Sequence, residues 1–84
     1  MSIALTTSAQ IRAARHLANL SQADLAEATG LSLPTIKRAE SERDVSVSAA
    51  AIDAIRAALE AAGIEFIAEN GGGAGVRLQK GASQ

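Results

Sequence analysis

Lys37 and Arg38 are the side chains of this sequence most open to chemistry with a partner. Their neighbours Ile36 and Ala39 fall on the apolar side of a helical period, which leaves the two cations for solvent or another molecule. Little else suits catalysis or ligation. His16 is the one histidine, with no ligand set around it, and a surface or packing role is expected for it. The absence of cysteine removes disulfides and thiolate metal sites, and the carboxylates are scattered along helical segments. One Phe and no Trp or Tyr argue against stacking on single-stranded nucleic acid. No enzyme, cofactor or metal site is therefore expected.

The segments that must position Lys37 and Arg38 carry strong local signals. Ser21 precedes Asp24 by three residues, the spacing of a capping box with Asp in place of Glu or Gln. Leu25, Ala26 and Ala28 follow, and Gly30 suits the residue after a helix, where φ is positive. A second helix opens at Ser32, with Pro34 in the first turn where a missing amide costs little. Two short helices joined by a glycine turn form a helix-turn-helix, whose second helix enters the DNA major groove.

Outside this pair, Thr7 and Gln10 have capping-box spacing and predict a helix running to about Asn19. Its inward stripe is Ile11, Ala14, Arg15 and Ala18, widened by Leu17, while Arg12 faces away and could meet a phosphate. Residues 41–48 read as a loop. A fourth helix is expected from about Ser48 to Ala62, with Ile52, Ile55, Leu59 and Ala62 on one face, wide alanine coverage elsewhere and Gly63 at its end. The period then changes to two. Ile64, Phe66 and Ala68 alternate with Glu65, Ile67 and Glu69, and Val76 and Leu78 alternate with Arg77 and Gln79. Asn70-Gly71-Gly72-Gly73 marks the turn between them. Keeping one apolar face requires Phe66 to oppose Val76 or Leu78. Because an isolated hairpin is marginal in water, it must dock on a helix, pair with another chain, or do both.

Residues 8–62 resemble the lambda-repressor-like, Xre-type helix-turn-helix family. The resemblance is carried by Ile11-Arg12, Arg15, Leu20-Ser21-Gln22, Leu25-Ala26, Gly30-Leu31-Ser32, Ile36 and Glu40. The tail GIEFIAENGGGAGVRLQKG is similar to the ending of a group of short bacterial Xre-type proteins. The implied fold is mainly α, a lambda-repressor-like helix-turn-helix domain of four helices with a C-terminal β-hairpin. Residues 7–63 would form the DNA-binding domain and 64–80 the hairpin, with 1–6 extended or disordered and 81–84 a disordered tail. Gln22 matches the family's phosphate-contacting glutamine at a helix start. Ser32, Leu33, Pro34, Lys37 and Arg38 match its groove-facing positions. Arg38 would read a base, since a guanidinium can bridge guanine O6 and N7. Lys37 would reach a base or phosphate, Thr35 a phosphate or thymine methyl, and Arg43 the backbone. Leu33 and Pro34 stand where many members carry an adenine-reading glutamine, so a thymine contact or shape readout is expected there. The resemblance also implies an internal ion pair between Arg15 and Glu40.

Eight Lys and Arg against nine Asp and Glu give a net charge of −1, so non-specific DNA binding should be weak. Useful affinity then needs a local basic face and doubling through a homodimer on a roughly palindromic operator. Ile64, Phe66, Ile67, Val76 and Leu78 are the expected dimerisation residues, with the alanine face of the fourth helix as the other available surface. The function that follows is sequence-specific transcriptional regulation through double-stranded DNA, with RNA polymerase or a toxin as possible protein partners. An antitoxin, or an interaction module with an unused DNA face, are the alternatives. The longest apolar stretches are too short to span a membrane, and the first ten residues lack the basic and apolar regions of a leader. A cytoplasmic location is expected.

Overall fold

Four helices and an antiparallel hairpin follow one another in the computed structural model, which describes residues 6–43, 46–69 and 71–79. The helices are α1 (Ser8–Leu17), α2 (Gln22–Thr29), α3 (Leu33–Ala39) and α4 (Ala49–Ala61), and the strands are β1 (Ile64–Ile67) and β2 (Gly75–Leu78). Each helix begins where a hydroxyl closes its first turn. Thr7 and Ser21 form complete capping boxes with Gln10 and Asp24, and Ser32 and Ser48 accept from the Thr35 and Ala51 amides. The Asp24 carboxyl is held below its ordinary value by hydrogen bonds from Ser21, the backbone amide first and the hydroxyl second.

The helix stops are equally local. α2 ends at Gly30, whose φ of 76° is left-handed. Nothing lies within 4 Å of where a Cβ would sit, so a side chain there meets backbone strain alone. Gly30→Ala is accordingly expected to lower stability by about 1–2 kcal/mol, read as a shift in the denaturation midpoint with unchanged slope. α1 ends two residues earlier than its period suggests: Ala18 caps it and Asn19 turns the chain at φ 63°. Asn is one of the few side chains that tolerates this conformation.

One core gathers the apolar side of every element. Ile11, Leu25, Ile36, Ile55, Leu59 and Ile64 are fully buried, with Ala14 and Ala39 filling the close approaches between helices. Two expected core positions lie elsewhere. Leu17 is 41% exposed, because the last turn of α1 has already passed the edge of the core. Ala62 is exposed beyond the end of α4, and Ala51, one turn before Ile55, takes the inward place.

The hairpin pairs Ile64 with Leu78, Glu65 with Arg77, Phe66 with Val76 and Ile67 with Gly75. It docks on α1 and α4 rather than standing free. Ile64 enters the core, and Phe66 and Val76 pack partly buried against it. The other face carries the Glu65–Arg77 ion pair at 3.0 Å, whose hydrogen bond holds the Glu65 carboxyl below its ordinary value. Gln10 then fastens the hairpin to α1. Its Oε1 accepts the Thr7 amide at 2.9 Å while its Nε2 donates to the carbonyls of Ile67 and Gly75, at 3.3 and 3.1 Å. One side chain thus completes a helix cap and grips both strands.

This docking corrects the assignment of Ile64 to a dimer surface. Ile64 has no exposed area and belongs to the protomer's own core. Phe66 and Val76 spend one side on the helices, whereas Ile67 is partly open and Leu78 is 53% exposed. The expectations for residues 1–5, Asn70, and 80–84 lie outside the described residues.

Candidate nucleic-acid interface

Glu40 sits at the junction of the first three helices and fixes how α3 is held. As the C-cap of α3 it is 4% exposed, yet its carboxylate accepts three hydrogen bonds. Arg15 donates from Nε to Oε2 at 2.6 Å and from Nη2 to Oε1 at 3.1 Å, a two-pronged contact between α1 and the end of α3. Gln22, the first residue of α2, donates from Nε2 to Oε1 at 3.2 Å. The Arg15 guanidinium also donates to the Leu20 carbonyl at 2.9 Å, closing the link between α1 and α2. Among the described residues no buried side-chain nitrogen or oxygen is left without a partner. The start of α2 and the end of α3 are therefore tied to one carboxylate, which sets the angle of the two helices.

Arg12 joins the same junction from outside. Its Nη1 donates to the Glu40 backbone carbonyl at 2.6 Å and its Nη2 pairs with Glu42 at 3.1 Å. The guanidinium occupies an orphan carbonyl at the C-terminus of α3, where the helix dipole also favours a cation. Arg12, expected to meet a phosphate, thus also holds a structural place within the chain. Arg12→Ala should cost roughly 1 kcal/mol of stability. Thermal unfolding with and without the substitution measures this, and an unchanged midpoint would show that the contact contributes nothing.

α3 presents the remaining candidates. Ile36 and Ala39 point into the core, so Lys37 and Arg38 are exposed on the opposite side. Ser32, Leu33 and Pro34 form an exposed first turn, with Leu33 at 37% exposure, and Thr35 is half-buried beside them. Ser32 Oγ and Thr35 Oγ1 lie 2.8 Å apart, and Arg38 Nη2 reaches Thr35 Oγ1 at 3.3 Å. Past the helix, Arg43 is exposed and borders an open cleft with Arg38, Ser8 and Ser41. Gln22 stands half-buried at the α2 start; its amide nitrogen already donates once to Glu40 and keeps a second hydrogen for an outside acceptor.

The geometry is two short helices joined by a tight left-handed turn, the second with one face in the core and the other offered to solvent. A family model described as "Helix-turn-helix domain" matches residues 8–66. The chain belongs to the helix-turn-helix domain family. No curated protein matches it. The matched span takes in the four helices and ends within β1, at Phe66. Membership of this family supports DNA binding. Among the described residues no group of His, Cys, Asp or Glu is arranged to hold a metal, and no helix is long and apolar enough to cross a membrane.

Two roles were not legible in the residue spacing. Gln10 reads as a cap and nothing more, because its strand partners are 57 and 65 residues away. Arg12 reads as a free cation, because its acceptor is a backbone carbonyl that no sequence pattern marks.

Proposed function

We propose that this protein is a sequence-specific double-stranded DNA-binding transcriptional regulator of the Xre type, acting as a homodimer on a roughly palindromic operator. The supporting observation is how its cations are shared out. Arg12, Arg15, Arg56 and Arg77 each pair with a carboxylate, Glu42, Glu40, Glu60 and Glu65 in turn. Lys37, Arg38 and Arg43 have no ion-pair partner among the described residues, and all three lie on α3 or just after it. Among the described residues of a chain of net charge −1, the cations without an ion-pair partner thus gather on α3 and just after it. That arrangement suits a phosphate-lined groove better than general attraction to polyanions.

In this reading Arg38 reads a guanine, Lys37 reaches a base or phosphate, and Gln22 and Arg43 hold the backbone. Leu33 and Pro34 offer apolar contact to a thymine methyl. Dimerisation supplies the affinity that the cations at α3 of one protomer would not. The longest extent of the protomer is 32 Å, compatible with two abutting copies holding their α3 helices about 34–36 Å apart, one turn of DNA. The surfaces left for that contact are Ile67 and Leu78 on the hairpin and the alanine face of α4. Occupancy of the operator would either block polymerase or touch it.

Selection from random duplex DNA at moderate salt, with Arg38→Ala in parallel, tests the reading. The parent chain should enrich a palindrome with half-sites about one turn apart. Arg38→Ala should lose discrimination at one position per half-site, worth about 1–3 kcal/mol. A folded parent chain that enriches nothing would overturn the proposal, and an unpaired half-site would remove the dimer from it.

A further inference from the structure

We propose that Thr35 is a positioning residue that sets Arg38 for base reading, so that the specificity of α3 depends on a hydroxyl that need not touch DNA. The inference rests on the DNA-binding reading above and names a residue through which it works. Ser32, Thr35 and Arg38 follow one another at helical spacing along the outer ridge of α3. Their polar ends form a chain: Ser32 Oγ lies 2.8 Å from Thr35 Oγ1, and Arg38 Nη2 donates to Thr35 Oγ1 at 3.3 Å. Ser32 is itself fixed, because it caps α3 by accepting the Thr35 amide at 3.2 Å. The chain therefore runs from a helix cap, through a β-branched side chain with few rotamers, to the guanidinium.

The chemistry permits this whichever hydroxyl donates. A threonine oxygen has two lone pairs, so one remains for Arg38 even if Ser32 donates to the other. Arg38 commits one N–H to Thr35, and the others stay available for the two-pronged contact with a guanine edge. Lys37 is the internal contrast, an exposed neighbour with no side-chain hydrogen bond among the described residues. An arginine on an open helix face loses much rotamer freedom on binding. A side chain already held along the ridge loses less, and the difference appears as affinity and as discrimination at the base it reads.

Thr35→Val removes the hydroxyl while keeping the branched shape. It should weaken binding to the selected site by about threefold to tenfold and flatten preference at the base assigned to Arg38, with the other positions and the melting temperature unchanged. Thr35→Ser should restore most of that preference. In an Arg38→Ala background, Thr35→Val should have no further effect. Equal losses in both backgrounds would show that Thr35 contacts DNA directly and would overturn the positioning role. So would a Thr35→Val protein with the parent preference. A parent chain that selects no sequence fails the DNA-binding reading itself, a result recognisable because it precedes any substitution, and the positioning role falls with it.

Discussion

Glu40→Ala is expected to destabilise the domain by roughly 3–5 kcal/mol, although the side chain lies outside the apolar core. The alanine leaves the Arg15 guanidinium, whose side chain is 11% exposed, without a carboxylate in a space too small for full hydration. The Gln22 amide loses its acceptor at the same time. Small domains have stabilities near the lower end of about 5–15 kcal/mol, so much of the protein should unfold. Arg15→Ala should cost a similar amount by stranding the Glu40 carboxylate. The intact pair itself contributes far less, since both ions were taken from water to make it. Replacing both partners with apolar residues of similar volume should therefore recover much of the loss. Chemical denaturation of the two single variants and the Arg15→Met, Glu40→Leu double variant measures each quantity. A loss below about 1 kcal/mol in both single variants would mean that water reaches the stranded ion freely.

Truncation after Gly63 is expected to be as severe, for an apolar reason. A hairpin serving only as a dimerisation arm could be removed without harm to the helices. Here the cut removes Ile64, which is fully buried, the packed sides of Phe66 and Val76, and both strand acceptors of Gln10. Losing one buried isoleucine side chain costs about 2–5 kcal/mol by itself. The truncated chain should show helical circular dichroism without a cooperative melt. Retention of a melting temperature within a few degrees of the full chain would show that the hairpin lies on the core without completing it. Ile64→Ala in the full chain separates the two effects, because it opens the core and leaves the strands their length.

How much of this was legible in the residues follows from the range of each interaction. The four helix starts were readable because a cap is a contact between residues three apart, as for Thr7 with Gln10 and Ser21 with Asp24. The hairpin register was readable only as far as two alternatives, Phe66 opposite Val76 or Leu78, because a one-residue slip would break the apolar face; the structure takes the first. The exposed positions of Lys37 and Arg38 followed from the inward period of Ile36 and Ala39. Features that depend on where one element meets another were not readable. Leu17 continues the apolar stripe of α1 but lies past the end of the surface that stripe covers. Ile64 alternates like any half-buried strand residue, and only the docking of β1 on α4 buries it completely. Arg12 and Arg38 are both arginines on helix surfaces. That one of them is tied to α3 from outside depends on a backbone carbonyl 28 residues from Arg12.

The Gln10 clasp also bears on the order in which the chain can be completed. Its second strand acceptor, the Gly75 carbonyl, lies 65 residues later. During synthesis from the N-terminus, α1 can form early but cannot acquire that partner until β2 has been made. The core therefore cannot be sealed until synthesis has passed β2. A nascent α3, already carrying its cations, would spend that interval on a scaffold whose last wall is missing.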